Sequence, residues 1–260
     1  MNPYTVHQIY FSPTGTTRKT LEAITAGLST DKINRYDLTY TNTATQQSIP
    51  DGIALIGIPV YAGRVPIDFL KRFETISAHN IPTILIALYG NREFEDALIE
   101  LRDVAIQKGF NIIAAGAFIG EHSYSTAQSP IAQNRPDKED LKIAREFGQK
   151  VATKIVANDL SQPKIDGNRP YRDRINFGGI SPETIAKSCT LCGKCSDVCP
   201  VGVIKVDDCV TTDKQNCIMC AACTRICAFG ARHFNHPSIE EKRAMLMEHC
   251  SAAKQATIFI

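Results

Sequence analysis

Eight of the ten cysteines in this chain of 260 residues follow one spacing that occurs twice. The first copy is Cys189-x2-Cys192-x2-Cys195-x3-Cys199, and the second is Cys217-x2-Cys220-x2-Cys223-x3-Cys227. Each cysteine of the second copy stands 28 residues after its counterpart, so the pattern is an internal duplication. Closely spaced thiolates are ligands for soft metal centres such as iron in clusters, and that chemistry would move single electrons.

This spacing predicts two [4Fe–4S] clusters. In bacterial proteins with two such clusters, the fourth cysteine of each run ligates the cluster of the other run. One cluster is therefore expected on Cys189, Cys192, Cys195 and Cys227, and the other on Cys217, Cys220, Cys223 and Cys199. The second run has Ala228 where the first has Pro200, a difference that would alter local geometry but not the ligands.

Zinc and disulfides are the alternatives for so many cysteines. A tetrahedral zinc site uses two separated pairs of ligands, whereas here a third cysteine repeats the short spacing and a fourth follows it. Disulfide frameworks belong to short secreted chains, and residues 1–9 lack the basic and apolar segments of a signal peptide. Cys209 and Cys250 lie outside both runs and are interpreted as small buried apolar residues with no assigned role.

The composition is that of a globular protein, with 43% hydrophobic and 22% charged residues. No apolar run reaches the roughly 18 residues that a membrane span requires, so no membrane is predicted as a partner. The formal net charge of +2 indicates no strongly basic face, so nucleic acid is not expected as a partner either. Reduced thiolate ligands favour a cytoplasmic location, and air-sensitive clusters favour an anaerobic one.

The first 157 residues alternate short apolar strand patterns with amphipathic helix patterns, as in an α/β domain with a doubly wound parallel sheet. Strands are predicted at residues 4–11, 33–38, 53–58, 82–89 and 111–119. The clearest helix has Phe94, Leu98 and Leu101 at helical spacing and ends at Gly109. Residues 158–182 contain Pro and Gly but also apolar side chains, which predicts a packed linker. A small cysteine-rich domain at 183–236 and a C-terminal helix and tail at 237–260 follow.

A hydroxyl-rich loop comes directly after the first predicted strand. A phosphate is bound where backbone N–H groups and hydroxyl donors converge at a helix N-terminus. The loop offers candidates for such a site: Ser12, Thr14, Gly15, Thr16 and Thr17. The alternative is a plain strand-to-helix turn with Thr17 as the N-cap. The spacing matches neither the Walker loop nor the G-x-G-x-x-G dinucleotide loop.

Ser12-x-Thr14-Gly15-x-Thr17 after the first strand of such a domain resembles the phosphate loop of the flavodoxins. The resemblance implies a flavodoxin-like sheet of order 2-1-3-4-5 and an FMN cofactor, bound at the carboxyl ends of the strands. It also implies two loops around the flavin ring. One contains Pro59, Val60, Tyr61, Ala62 and Gly63, and the other contains Tyr89, Gly90, Asn91 and Arg92.

The whole chain is similar to the flavodoxin–ferredoxin fusion proteins of anaerobic bacteria and archaea (the EFR1-type family). That likeness implies that the small C-terminal domain is an α+β ferredoxin domain with two [4Fe–4S] clusters.

The chain departs from typical flavodoxins in its ring loops. It has no tryptophan, so an aromatic contact with a flavin must come from Tyr61, Tyr89 or Tyr124. Arg64 and Arg92 stand where flavodoxins are acidic, and either would favour a reduced anionic ring, although ordinary solvated arginines are the simpler interpretation. His122, Tyr124 and Arg92 are the weak candidates for catalytic residues, with His122 as a proton donor or a simple loop residue.

Three functions fit these features. The first is an electron carrier that converts between one-electron carriers and a two-electron acceptor and hands electrons to a redox protein partner, such as a ferredoxin or an iron–sulfur enzyme. The second is an FMN-dependent reductase in which the clusters supply electrons to a small-molecule acceptor. The third is a ferredoxin attached to a docking domain without flavin. The apolar ending at 256–260 is expected to dock on a domain or to support a homodimer.

Overall fold

Residues 4–40, 46–176 and 178–260 are described by the computed structural model, and they form short strands and helices in alternation. The strands are β1 (Val6–Tyr10), β2 (Ile33–Asp37), β3 (Gln47–Ser48), β4 (Ile53–Pro59), β5 (Ile76–Ser77), β6 (Ile81–Tyr89), β7 (Phe110–Ile119), β8 (Glu183–Thr184), β9 (Ile204–Val206), β10 (Val210–Thr212), β11 (Arg232–His233) and β12 (Thr257–Phe259). The helices are α1 (Thr16–Leu28), α2 (Ile67–Phe73), α3 (Ala97–Gln107), α4 (Lys138–Val156), α5 (Lys194–Asp197), α6 (Ala222–Ile226) and α7 (Pro237–His249).

The first domain is built on a sheet of six strands in the order β12-β7-β6-β4-β1-β2. The strands from β2 to β7 in this order are parallel to their neighbours, whereas β12 pairs antiparallel with β7. Numbered along the chain, the five long parallel strands therefore have the order 2-1-3-4-5. This is the doubly wound order of flavodoxin-like domains, so the predicted fold class is confirmed.

Helices cover both faces of this sheet, which is why its central strands are continuously apolar. One core cluster contains Phe69 and Phe73 of α2 with Leu98 and Leu101 of α3. The other contains Leu21, Ile24 and Leu28 of α1 with residues of α4. Both clusters consist of fully or almost fully buried side chains, so the carboxyl ends of the strands are held on a rigid base.

The clearest predicted helix starts later than its apolar pattern indicates. Glu95 has φ +46° and Asp96 is the N-cap, so α3 begins at Ala97, and Phe94 packs against the core from the preceding loop. The far end agrees with the prediction because Gly109, with φ +88°, follows the C-cap Lys108.

The segment between the domains is tied to α3 by hydrogen bonds. The carboxylate of Asp96 accepts from the backbone N–H groups of Asn168 (2.8 Å) and Arg172 (2.7 Å). The hydroxyl of Tyr171 donates to Asp103 (2.6 Å). Ile165 is buried in the core of the first domain. These contacts fix the direction in which the chain leaves the sheet.

The two cysteine runs share the same backbone conformation. Left-handed residues occur at the same positions in both copies, 28 residues apart: Leu191 and Met219 (φ +54° and +51°), Gly193 and Ala221 (+79° and +64°), Gly202 and Gly230 (+65° and +60°). Each run then enters a short helix, α5 or α6. Two small antiparallel pairs, β9–β10 and β8–β11, complete this α+β unit.

The C-terminal segment returns to the first domain. Its helix α7 is capped by the His236 side chain, which accepts from the Ser238 N–H. Beyond the helix, β12 extends the large sheet beside β7, so the predicted docking of residues 256–260 on a domain is confirmed. No helix within the described ranges combines the length and apolar character needed to span a bilayer.

Candidate cofactor sites

One cavity of about 290 Å³ opens at the carboxyl ends of the parallel strands. Most of the residues predicted to bind flavin line it: Thr14, Thr16, Thr17, Pro59, Val60, Tyr61, Ala62, Gly63, Tyr89, Gly90 and Arg92. The catalytic candidates His122 and Tyr124 line it as well. Three separate loops of the sheet therefore converge on one space, as expected for a ligand site in a doubly wound fold.

The N-terminus of α1 is suited to a phosphate. Gly15, the N-cap, has φ +78° and offers no side chain, so the N-cap residue itself makes no side-chain hydrogen bond to the first N–H groups. The first turn contains no acidic residue. Thr17 is 1% exposed, and its Oγ1 has no hydrogen-bond partner within the described residues. A buried hydroxyl without a partner is costly, and a phosphate oxygen at this helix end would accept from it. The residues present therefore fit the phosphate end of FMN.

Three of the predicted flavin-loop residues do not line the cavity. Ser12 Oγ instead accepts from the backbone N–H of Arg18 (3.1 Å), and Gly15 supplies the bend before α1. The Asn91 side chain donates to the carbonyl oxygens of Cys250 (2.6 Å) and Ala252 (2.8 Å). Asn91 therefore holds the C-terminal segment rather than a ligand.

The loop after β4 is a tight turn that presents an aromatic side chain. The backbone groups of Tyr61 and Arg64 exchange hydrogen bonds of 3.0 and 3.1 Å, and Ala62 and Gly63 between them both have positive φ. Tyr61 lines the cavity and meets the ring of Phe11 edge-on at 6.5 Å. Burial, followed by the nearby thiolate of Cys220, raises the pKa of Tyr61 well above its usual value. Tyr61 is therefore a neutral, partly buried ring at the cavity wall.

Arg64 points away from this cavity. Its guanidinium makes a paired contact with the buried Glu100 carboxylate, with Nε–Oε2 and Nη2–Oε1 distances of 2.8 Å, and it stacks over the Tyr171 ring at 4.9 Å. Neither sequence interpretation of Arg64, a contact with the flavin ring or a solvated side chain, describes it, because the buried Glu100 of α3 holds its guanidinium. Arg92 does line the cavity, and its guanidinium is neutralised by Glu95 at 2.9 Å.

The other two aromatic candidates are largely buried. Tyr89 is 5% exposed and lies 5.6 Å from the ring of Phe94, and burial raises its pKa to about 12. Tyr124 packs against His122 (5.0 Å) and against Phe234 of the cysteine-rich half (5.5 Å). Tyr124 thus joins the two halves at the cavity, and Tyr61 is the more accessible ring.

His122 is a neutral hydrogen-bonding group. Burial and the positive charges of Arg92 and Arg225 lower its pKa to about 4. Its Nδ1 accepts from the Tyr124 N–H at 3.1 Å, so the proton of the neutral ring is on Nε2. A Cβ atom at Gly90 would lie 2.5 Å from the His122 ring, so only glycine allows this approach. The ring is therefore neutral near neutral pH, which agrees with the interpretation of His122 as a hydrogen-bonding loop residue rather than a titrating proton donor.

The cysteines of the two runs surround two further cavities. One is lined by Cys189, Cys192, Cys195 and Cys227. The other is lined by Cys199, Cys217, Cys220 and Cys223. The structure therefore places the fourth cysteine of each run with the first three of the other run, in the sets given by the ferredoxin pattern. We call these cavities the outer and the inner cysteine site.

The inner site requires a cation. Burial and neighbouring thiolates raise the pKa of Cys217 to about 11, and they raise that of Cys220 further. At Cys217 and Cys220 the sulfur would carry a proton at neutral pH unless positive metal charge lay beside it. Buried thiols of this number and arrangement fit the ligand set of an iron–sulfur cluster. No group of three or more His, Cys, Asp or Glu in the described ranges is arranged for a lone metal ion.

The first cavity and the inner cysteine site share a wall. The loop Ile218, Met219 and Cys220 lines both. Sequence reasoning assigned this loop to the cysteine run alone, and no local signal shows that it faces the strand ends of the other domain. Lys242 and Met245 of α7 also line the first cavity and were not predicted.

The two remaining cysteines differ from each other. Cys250 is partly buried against the cluster that contains Tyr124 and Phe234. Cys209 is exposed, so its prediction as a buried apolar residue is wrong. It lies in the turn between β9 and β10, where it lines neither cysteine site.

Comparison with protein-family models identifies part of the cysteine-rich half. The 4Fe-4S binding domain family matches residues 182–205, which include the first cysteine run. No curated protein matches the chain. Among solved structures, an archaeal flavodoxin is 12% identical and covers 58% of this chain and 99% of its own, with a TM-score of 0.38.

Two further flavodoxins give similar values. Flavodoxin 2 from Bacillus cereus is 16% identical and covers 58% of this chain and 99% of its own, with a TM-score of 0.40. The Fusobacterium nucleatum flavodoxin bound to flavin mononucleotide is also 16% identical, covers 60% and 98%, and has a TM-score of 0.40. The assignment of the first domain rests on its own strand order. The chain therefore joins a flavodoxin-like domain to a 4Fe–4S binding domain.

Proposed function

We propose that this protein moves electrons between two [4Fe–4S] clusters and FMN and so converts between one-electron and two-electron carriers. The observation that carries the proposal is the position of Cys220, which lines both the inner cysteine site and the cavity at the strand ends. A ligand of one redox group thus lies in the wall of the site for another. Electron exchange between groups requires such proximity, and the protein supplies it by its fold.

The two cysteine sites differ in exposure, which indicates the order in which electrons would pass through them. The outer site is lined by Leu191, Cys192 and Phe229, which are exposed, Phe229 by 62%. The inner site is more deeply buried and adjoins the flavin cavity. The outer site is therefore where a redox protein partner meets the chain, and the inner site connects it to the strand ends.

The residues of the first cavity would hold FMN by its two ends. The Thr17 hydroxyl and backbone N–H groups at the start of α1 would bind the phosphate, and Tyr61 would contact the ring. With Nδ1 accepting from the Tyr124 N–H, the Nε2–H of His122 would be the donor toward a carbonyl or nitrogen of the flavin ring. FMN, when bound, supplies the capacity to exchange either one or two electrons.

An anaerobic reductive titration, followed by visible absorption and EPR, tests this function. The purified protein is expected to contain about eight irons and one FMN, with the flavin reduced through the clusters. Four irons would contradict the two-cluster assignment. Full cluster reduction without a flavin signal, even after FMN is added, would leave a ferredoxin attached to a docking domain.

A reductase that acts on a small molecule is the second candidate. A cavity of about 700 Å³ adjoins the first one and shares Tyr61 and Ile218 with it. That space would be available to an acceptor once FMN fills the first cavity, whose 290 Å³ supports a single ligand. Reoxidation of the reduced protein by a ferredoxin but not by small acceptors favours the carrier, and the reverse favours the reductase.

A further inference from the structure

A single arginine lies between the two cysteine sites. Arg232 of β11 is 4% exposed, and it lines both the outer and the inner site. The short helices α5 and α6 within the two cysteine runs meet here, and Cys195, Cys223 and Ile204 pack in one buried cluster. A permanent positive charge is thus enclosed where the two halves of the duplication join.

This charge has neutral partners and one thiolate partner. Arg232 Nη1 donates to Thr184 Oγ1 (2.7 Å), and Nη2 donates to Thr212 Oγ1 (2.9 Å) and to Cys223 Sγ (3.8 Å). Its Nε–H has no acceptor, and no carboxylate forms an ion pair with it, among the described residues. An isolated buried cation is strongly unfavourable, so the negative charge that balances Arg232 must come from the cysteine sites.

The duplication shows that this cation belongs to one half only. The residue 28 positions before Arg232 is Ile204, which is also buried, at 5% exposure. The two halves therefore share backbone conformation and ligands but differ in charge at this position. The hydrogen bond to Cys223 further associates the arginine with the inner site, since Cys195, its counterpart in the outer site, receives none from it.

We propose that Arg232 makes the two clusters unequal by raising the reduction potential of the inner cluster above that of the outer one. This inference rests on the proposed function because it assumes a cluster in each site. Reduction adds one negative charge to a cluster, and a nearby cation with a hydrogen bond to a ligand sulfur stabilises that charge. One electron leaves the outer cluster and one enters the inner cluster, so transfer toward the flavin cavity becomes favourable without another reactant.

The test is a potentiometric titration by EPR of the wild-type protein, R232M, R232K and the control K205M. Lys205 is exposed in β9 of the same domain, so the control also removes one positive charge. In R232M the midpoint potentials of both clusters are expected to fall, and that of the inner cluster is expected to fall further. In K205M both are expected to stay near the wild-type values because an exposed charge is screened. R232K keeps the positive charge but not the several N–H donors of the guanidinium, so the midpoint potential of the inner cluster is expected to fall.

Unchanged or equally shifted midpoints in an R232M protein that retains its iron would overturn the proposal. If R232M loses its iron, the neutral but polar R232Q takes its place, and unchanged or equally shifted midpoints there would overturn the proposal. Failure of the proposed function would be detected in the wild-type protein, independently of the variants. A wild-type protein with only one cluster, or with none, would refute the two-cluster assignment before any variant is compared.

Discussion

Arg72 of α2 donates a hydrogen bond of 2.7 Å to the carbonyl oxygen of Pro200, the residue that follows the fourth cysteine of the first run. The same guanidinium donates to the Leu38 carbonyl (2.9 Å) and lies 5.6 Å from the centre of the Phe11 ring. One side chain therefore connects the end of the sheet to the backbone beside Cys199. This contact helps to hold the inner cysteine site against the first domain.

Replacing Arg72 by methionine is expected to weaken the attachment of the two domains. The hydrogen bonds from Arg72 to the carbonyl oxygens of Leu38, Thr39 and Pro200 would be lost, which corresponds to roughly 2–4 kcal/mol. Thermal unfolding of R72M and of R35M is the measurement, because Arg35 lies exposed on the edge strand β2. An R72M protein as stable as R35M would show that the contact to Pro200 does not stabilise the assembly.

Thr17 gives opposite predictions for binding and for stability. T17V should bind FMN about 10- to 100-fold more weakly because a hydrogen bond to a charged phosphate is lost. The protein without FMN should be equally or more stable because a buried, unpaired hydroxyl is removed.

T20V is the matched control for T17V. Thr20 is on the same helix, and its hydroxyl donates to the Thr16 carbonyl (3.2 Å) rather than lining the cavity. Flavin fluorescence quenching gives the affinities. Equal affinity of T17V and wild-type protein would remove Thr17 from the phosphate site.

Cys220 is expected to be needed for the inner cluster only. C220S should retain about four irons, on the outer site, and should lose the transfer of electrons to the flavin. C209S should keep about eight, because the exposed Cys209 lines neither site. Iron analysis with EPR separates these outcomes. A C220S protein with eight irons would show that another side chain replaces this ligand.

His122 predicts a dependence of stability on pH. Its pKa falls from 6.5 in the unfolded chain to about 4 in the folded one, so the unfolded state binds more protons between these values. The stability present above pH 6.5 is therefore lost as the pH falls toward 4, by about 3 kcal/mol in total.

The difference in melting temperature between pH 7 and pH 5 measures this effect. H122Q should show a smaller difference than wild type, whereas H249Q, which changes an exposed histidine at the end of α7, should not. Identical pH profiles for all three proteins would contradict the low pKa of His122.

Local sequence patterns predicted the individual strands and cysteine runs, but they did not predict the contacts between distant elements. Continuous apolar runs gave β4, β6 and β7 because both faces of these strands are buried. The cysteine spacing predicted the first three cysteines of each site because each run folds as a local loop, and the two-cluster ferredoxin pattern supplied the fourth, which comes from the other run. Arg64 was misplaced because its partner, Glu100, lies on a helix 36 residues further along the chain.

The residues of the cavity between the domains were also beyond prediction from local sequence patterns. That Ile218 and Met219 face the strand ends depends on how two folded units dock, and neither residue carries a signal of this in its neighbours. The late start of α3 is a different kind of error. Phe94 fits the apolar period, but the left-handed backbone at Glu95 interrupts the helix, and helical periodicity does not report backbone φ.

The pairing of β12 with β7 means that the cysteine-rich domain is an insertion in the sheet domain rather than an appendage to it. Its polypeptide leaves the sheet domain through the linker tied to α3 and re-enters it at the sheet edge. Both ends of the insert are anchored, so the separation of the redox sites is a property of the fold and does not vary with linker motion. A different ferredoxin could be exchanged into this position only if its own two ends spanned the same two anchor points.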